Sequence, residues 1–141
     1  MGGTSGLISR CASFFVQIES KKAMYTISKE FHFSSSHQLN DLPEGHQCGR
    51  LHGHNYVLRV FLQSPELNDK GFVQDYGELK SIKKFVDEVL DHRHLNDVFP
   101  LHNTTVENMS KIIYDMFKAE YPLLLAVEMS ETPKTLCRYQ P

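Results

Sequence analysis

The sequence has no excess charge of either sign, no long apolar run and few cysteines. Lys and Arg number 15 against 17 Asp and Glu, a net charge of −2, so the basic footprint of a nucleic-acid binder is missing. No apolar stretch approaches the roughly 18–20 residues that a membrane-spanning helix needs. The three cysteines, Cys11, Cys48 and Cys137, are odd in number and widely scattered, which argues against a disulfide framework and for a reducing, cytoplasmic setting. Internal repeats and low-complexity tracts are absent too. What remains is an ordinary globular composition, 40% hydrophobic and 23% charged over 141 residues, enough for one domain with a real core. Histidine is the residue in surplus. Of eight, five (His32, His37, His46, His52 and His54) fall within residues 32–54.

Residues 1–23 stand apart from the rest. Leu7, Cys11, Phe14 and Ile18 follow four-three-four spacing and allow an amphipathic helix, and the single acidic residue keeps a transit peptide open. The simpler reading is a disordered or non-native extension, with Met24 as the natural start and residues 24–141 as a single domain. From Tyr25 the pattern changes to strict alternation. Tyr25, Ile27, Phe31 and Phe33 share one face of a predicted strand, and Tyr56, Leu58, Val60 and Leu62 do the same over His54–Gln63. Turn chemistry follows at Ser64-Pro65 and Asn68-Asp69-Lys70-Gly71, then a short strand over Phe72–Gln74. Asp75-x-x-Glu78 reads as a capping box opening a helix whose stripe is Leu79, Ile82, Val86 and Val89. A second box, Thr104-x-x-Glu107, precedes the stripe of Met109, Ile112, Ile113, Met116 and Phe117. Tyr121-Pro122 ends that helix. Leu123–Ser130 and Lys134–Tyr139 close the chain as strands. The order predicts an α+β fold with the helices on one face of a sheet.

The chemistry concentrates in Cys48-Gly49-Arg50-Leu51-His52-Gly53-His54. Histidines at i and i+2 on a strand point the same way, and Gly53 between them removes bulk. His37, just after the first strand, faces the pair if the two strands form a hairpin. Three imidazoles without a fourth protein ligand are the pattern of a catalytic zinc site. A bare His-x-His also fits a solvent-facing strand edge; the nearby His37 and Cys48 tilt the reading toward a metal. Cys48 itself is compatible with a fourth ligand, a nucleophile, a general base or a free buried thiol. Asp91-His92 lies where the first helix ends. A carboxylate can orient an imidazole there, provided the pair sits in the loop, although helix C-termini attract histidine for dipole reasons alone. Glu131, at the end of an apolar strand, either meets a charged partner, binds a ligand donor or is simply solvated. A metallohydrolase of the His-Glu-x-x-His type has no matching helix here.

From Lys29 to Tyr139 the sequence resembles the 6-pyruvoyltetrahydropterin synthase family. The segments that carry it are Phe31-His32-Phe33-Ser34-Ser35-Ser36-His37, Cys48 through His54, Leu90-Asp91-His92, Thr105-Val106-Glu107-Asn108 and Glu131-Thr132. The three-residue spacing of Cys48 from His52 is similar to the family's carboxy branch, the 6-carboxy-5,6,7,8-tetrahydropterin synthases of queuosine and deazapurine biosynthesis. The resemblance implies His37, His52 and His54 as zinc ligands, Cys48 as the proton-abstracting base, and Asp91 and His92 as its relay. It implies Glu131 as the anchor of the pterin ring and the backbone near Thr105 as a second pterin contact. It also implies the tunnelling fold: an antiparallel four-stranded sheet with two helices on one face, subunits joining into a barrel, and a homo-oligomer built as a hexamer, a dimer of trimers. The implied substrate is a small-molecule pterin triphosphate, 7,8-dihydroneopterin triphosphate. The alternatives are the pyruvoyl product and a non-catalytic pterin-binding member. The sequence departs from the family in carrying Gln38 where Arg follows the first zinc histidine, Ser for Ala before His37, and Thr104 for Pro.

Overall fold

The computed structural model describes residues 22–141, so the expectations for the N-terminal extension lie, up to residue 21, outside the described residues. Strand β1 (Tyr25–His37) pairs antiparallel with β2 (His52–Ser64) along its whole length, Tyr25 opposite Ser64 and His37 opposite His52. Both strands run past the sequence prediction at their functional ends, because His37 and His52 complete the ladder. Strand β4 (Leu124–Thr132) lies antiparallel on the other side of β2, and β5 (Thr135–Tyr139) pairs with β4. These are the four antiparallel strands expected. The structure corrects the count: a two-residue strand β3 (Arg93–His94) runs parallel to β1 at Ser35–Ser36, giving the order β3-β1-β2-β4-β5 in a mixed, five-stranded sheet. So short a strand has no periodicity to read. It forms because His92 N–H donates to the Ser34 carbonyl at 2.7 Å and Ser34 N–H to Asp91 Oδ1 at 2.8 Å.

The segment Phe72–Gln74 is not a strand. Asn68 Oδ1 accepts from the backbone N–H groups of Lys70 and Phe72, both at 3.0 Å, and folds it into a turn. Asp75 caps a 3₁₀ turn at Tyr76–Glu78 by accepting from Gly77 N–H at 2.8 Å; helix α1 (Lys80–Phe85) starts only after it and continues as a π turn over Val86–Leu90. That wider turn takes up an extra residue. Leu79, Ile82 and Val86 are buried as predicted, but Leu90 takes the next inward position and Val89 is left 38% exposed. Helix α2 (Leu95–Val98) is a single turn. Helix α3 (Val106–Lys118) is capped by Thr105, whose Oγ1 accepts from Asn108 N–H at 3.3 Å. The second cap is thus one residue later than predicted.

One sheet face, with Phe31, Phe33, Tyr56, Leu58 and Leu62, packs under α1 and α3 through Ile82, Met109, Ile113 and Phe117. The opposite face is polar. Glu30, Arg59, Glu128 and Arg138 form an ion-pair ladder across β1, β2, β4 and β5, in which Glu128 receives Arg59 at 3.1 Å and Arg138 at 2.9 Å, and Arg59 also pairs with Glu30. Among the described residues no helix is long and apolar enough to cross a membrane.

Candidate active site

The β1–β2 register brings the predicted histidines together. His37 ends β1 directly opposite His52, and His54 lies opposite Ser35. Their rings meet edge to face with centroids 4.5–5.2 Å apart, and one ligand nitrogen from each lies within 4.8 Å of the others. Gly53 lets the strands approach here, since a Cβ at that position would stand 3.1 Å from the Ser35 carbonyl oxygen.

Two backbone carbonyls set the chemistry of this triad. His37 Nδ1 lies 2.9 Å from the Thr104 carbonyl oxygen and His52 Nδ1 lies 2.7 Å from that of Arg50. A carbonyl only accepts, so each Nδ1 carries the proton and each Nε2 its lone pair. Those two Nε2 atoms face one another at 3.0 Å. Lone pairs so placed repel unless a cation lies between them. A proton on His37 is disfavoured: burial holds both His37 and His54 below the ordinary imidazole range, and the neighbouring His52, joined at His37 by His54, pushes the same way. The Thr104 carbonyl, for His37, and Glu131, for both rings, oppose the shift. Three imidazoles, two of them with their Nδ1–H tied to backbone carbonyls, fit a divalent metal ion.

The depressed values have a consequence for the metal-free protein. Below the ordinary histidine value of 6.5 the unfolded chain binds protons that folded His37 and His54 refuse, so the unfolding free energy falls with pH. Metal-free thermal melts should therefore show a Tm that drops as the buffer is taken from about pH 8 to about pH 5. A flat or rising Tm would contradict the lowered proton affinity of His37 and His54 in the folded chain.

Glu131 reaches the same site from the end of β4, its Oε2 3.8 Å from His54 Nε2 and its side chain half-buried. Tyr56, which the sequence reading placed only in the core, packs edge-on against His37 and His54 and stacks on Phe33 at 4.9 Å. Its hydroxyl has no hydrogen-bond partner among the described residues, and burial pushes the phenol above its ordinary range. The roles of Tyr56 and of the Thr104 and Arg50 carbonyls were missed. Only Tyr56, two residues past His54 on the same strand face, left any signal.

Asp91 and His92 form the expected pair, and they do so past the end of the helix. His92 adopts φ +55°, the left-handed region that turns its ring back on its neighbour, and Nδ1 lies 2.8 Å from Asp91 Oδ2. The Ser34 N–H, and after it His92, hold the Asp91 carboxyl below its ordinary range. Cys48 is half-buried in a 3₁₀ turn, Gln47–Gly49, clamped by Leu39 N–H donating to its carbonyl at 3.0 Å and by its own N–H donating to His46 Nδ1 at 3.1 Å. It does not join the ligand cluster, which consists of the three histidines. Among the described residues no hydrogen bond or ion pair links Cys48 to His92. The Thr105 side chain is committed to capping α3.

A mixed sheet covered on one face by helices, with a histidine triad at the end of its central hairpin, defines a metal-binding α+β enzyme domain. The family model described as 6-pyruvoyl tetrahydropterin synthase matches residues 26–141, and the chain belongs to that family. It is 38% identical to the 6-carboxy-5,6,7,8-tetrahydropterin synthase of Synechocystis, with 82% of this chain and 93% of the relative aligned. It is also 38% identical to the 6-pyruvoyl tetrahydrobiopterin synthase of Dictyostelium discoideum, over 77% of this chain and 90% of that one. The solved structure of the Caenorhabditis elegans 6-pyruvoyl tetrahydropterin synthase superposes with a TM-score of 0.74 at 28% identity, covering 84% of this chain and 96% of the other. The fold is of the tunnelling type, and the activity is that of a pterin synthase with a histidine-triad metal site.

Proposed function

We propose that the protein is a zinc-dependent lyase that converts 7,8-dihydroneopterin triphosphate to 6-carboxy-5,6,7,8-tetrahydropterin, releasing acetaldehyde and triphosphate, in queuosine and deazapurine biosynthesis. The observation that carries this reading is the compact Cys48-to-His54 segment, in which a clamped cysteine stands only three residues from the first histidine of the His-Gly-His pair. His37, His52 and His54 hold the metal, which when bound supplies Lewis-acid stabilisation of charge developing on a substrate oxygen. Cys48 takes the proton from the side-chain carbon, and His92, oriented by Asp91, passes it on. Glu131 accepts the N–H donors of the pterin edge through both carboxylate oxygens, with the backbone near Thr105 as a further contact. Triphosphate leaves with the electron pair of its carbon–oxygen bond. The carboxylate and the acetaldehyde together carry three oxygens and the remaining side chain two, so one water is consumed.

That no hydrogen bond or ion pair joins Cys48 to Asp91 or His92 among the described residues supports a site completed by a neighbouring subunit. The sheet's edge strands, β3 and β5, are the surfaces through which sheets would join into a barrel in the hexamer this reading expects. The 38% identity to the Dictyostelium enzyme favours a second reading, in which reaction stops at the pyruvoyl product. Anaerobic incubation of the zinc-loaded protein with 7,8-dihydroneopterin triphosphate, followed by mass spectrometry, separates the two. The carboxy product with acetaldehyde is the expected result. A pyruvoyl product would keep the site and overturn the branch, and absence of turnover would favour a pterin-binding member that catalyses nothing.

A further inference from the structure

Two polar groups beside the histidine triad lack the partner each needs. Tyr56 is 0% exposed, and its hydroxyl is the one buried side-chain polar atom among the described residues that makes no hydrogen bond. The Glu131 carboxylate accepts no hydrogen bond from any described residue; its one ion-pair neighbour is His54 Nε2, at 3.8 Å. The first is a donor without an acceptor, the second an acceptor without a donor. The sheet makes them neighbours. Leu58 of β2 pairs with Met129 of β4; Tyr56 comes two residues before the one and Glu131 two residues after the other. Both reach His54, the phenol with its ring centroid 5.5 Å from the imidazole's. The register of β4 on β5 slips between Met129 and Thr132, a bulge of the kind that re-aims a side chain. Packing of the Tyr56 ring on Phe33 and the two histidines needs no hydroxyl, and an unpaired phenol in a dry site costs free energy that phenylalanine there would not.

We infer that Tyr56 is a positioning residue for Glu131: its hydroxyl donates to one carboxylate oxygen when a ligand closes the site, which keeps the carboxylate toward the pterin edge and off the metal. The inference rests on the function proposed above and deepens it. Glu131 needs such a restraint because a carboxylate oxygen is itself a zinc ligand. It stands beside His54 without belonging to the ligand cluster, and a rotation toward the histidines would make it a fourth ligand. That would close the position a catalytic metal keeps open. A hydrogen bond from Tyr56 uses one lone pair and leaves the carboxylate ionised, so both oxygens still accept the N–H donors of the ring. While the site is open, water serves the half-buried carboxylate. Once a ligand displaces that water, the unpaired donor beside it is the phenol.

The test uses Tyr56→Phe, which keeps the ring and removes the donor, in the metal-loaded full chain. Calorimetric titration of the zinc-loaded protein with 7,8-dihydroneopterin is expected to show binding weakened roughly tenfold. Cobalt in place of zinc supplies a readout that packing alone does not move. Tyr56→Phe should shift the visible bands of the cobalt protein as Glu131 joins the metal. Adding Glu131→Ala should return those bands to the parent's positions, closing a double-mutant cycle on the pair. Unchanged pterin affinity, cobalt bands that Tyr56→Phe leaves in place, or a band shift that survives Glu131→Ala each overturn the inference. So does a metal-free Tyr56→Phe chain that melts below the parent, since the hydroxyl would then be bonded already within the fold. If the parent takes up cobalt but binds no pterin, the proposed function falls, while a band shift that depends on Glu131 keeps the pairing.

Discussion

Replacing His37 with alanine is expected to empty the metal centre and to lower turnover by roughly a thousandfold or more. His37 is the buried member of the triad, 1% exposed, and the one whose tautomer is fixed by a carbonyl from outside the hairpin. Removing it leaves two ligands, and two imidazoles on one strand do not hold a divalent ion against buffer. The metal's stabilisation of developing charge amounts to several kcal/mol, and each ~1.4 kcal/mol is tenfold in rate, which gives the magnitude. Stability provides a second, independent reading. Metal that binds only the folded state raises Tm by mass action, so zinc should raise the Tm of the parent protein and leave that of His37→Ala unmoved. Metal content per chain, kcat and paired melts with and without zinc check all three. A variant that keeps one metal per chain and its thermal response would show that the triad is not the site.

Replacing Cys48 with alanine should separate chemistry from metal binding. The thiol lies outside the ligand cluster, in a turn held by backbone hydrogen bonds that alanine also makes. Metal content should therefore be unchanged, and stability should move by no more than about 0.5 kcal/mol, the usual range for a substitution away from core and caps. Turnover should fall by about 10²- to 10⁴-fold, the usual contribution of a positioned acid–base group. Retention of full kcat would remove Cys48 from the mechanism and pass the role of base to His92. Loss of metal together with activity would instead make the cysteine a ligand.

The hairpin was legible because alternation is local. Phe31 and Phe33 against Tyr56, Leu58, Val60 and Leu62 specify two half-buried strands whatever surrounds them. The His-x-His pair inherits its common direction from that same period of two. Helices α1 and α3 were legible for the equivalent reason, but their details were not. The π turn at Val86–Leu90 exchanges Val89 for Leu90 at the core, and the cap of α3 falls on Thr105 because Thr104 is drawn inward, fully buried, to meet His37. Both shifts follow from packing against the sheet, which outranks the sequence pattern when the two differ by one residue.

Spacing along the chain was thus enough for the α+β class, the central hairpin and the three histidines as a set, while it left the Asp91-His92 pair open between a loop pair and a histidine at a helix end. Folding in three dimensions settles which nitrogens of His37 and His52 face each other, where Glu131 reaches the triad, that β3 joins the sheet in parallel, and that His92 turns back onto Asp91. The partners that settle these points are largely backbone groups distant in sequence: the Thr104 carbonyl under His37, and the Ser34 N–H and carbonyl that clamp Asp91 and His92. Nearly every residue carries such an N–H and a carbonyl. No side-chain pattern announces which of them will be used, and the choice is made when the sheet and its covering helices close on one another.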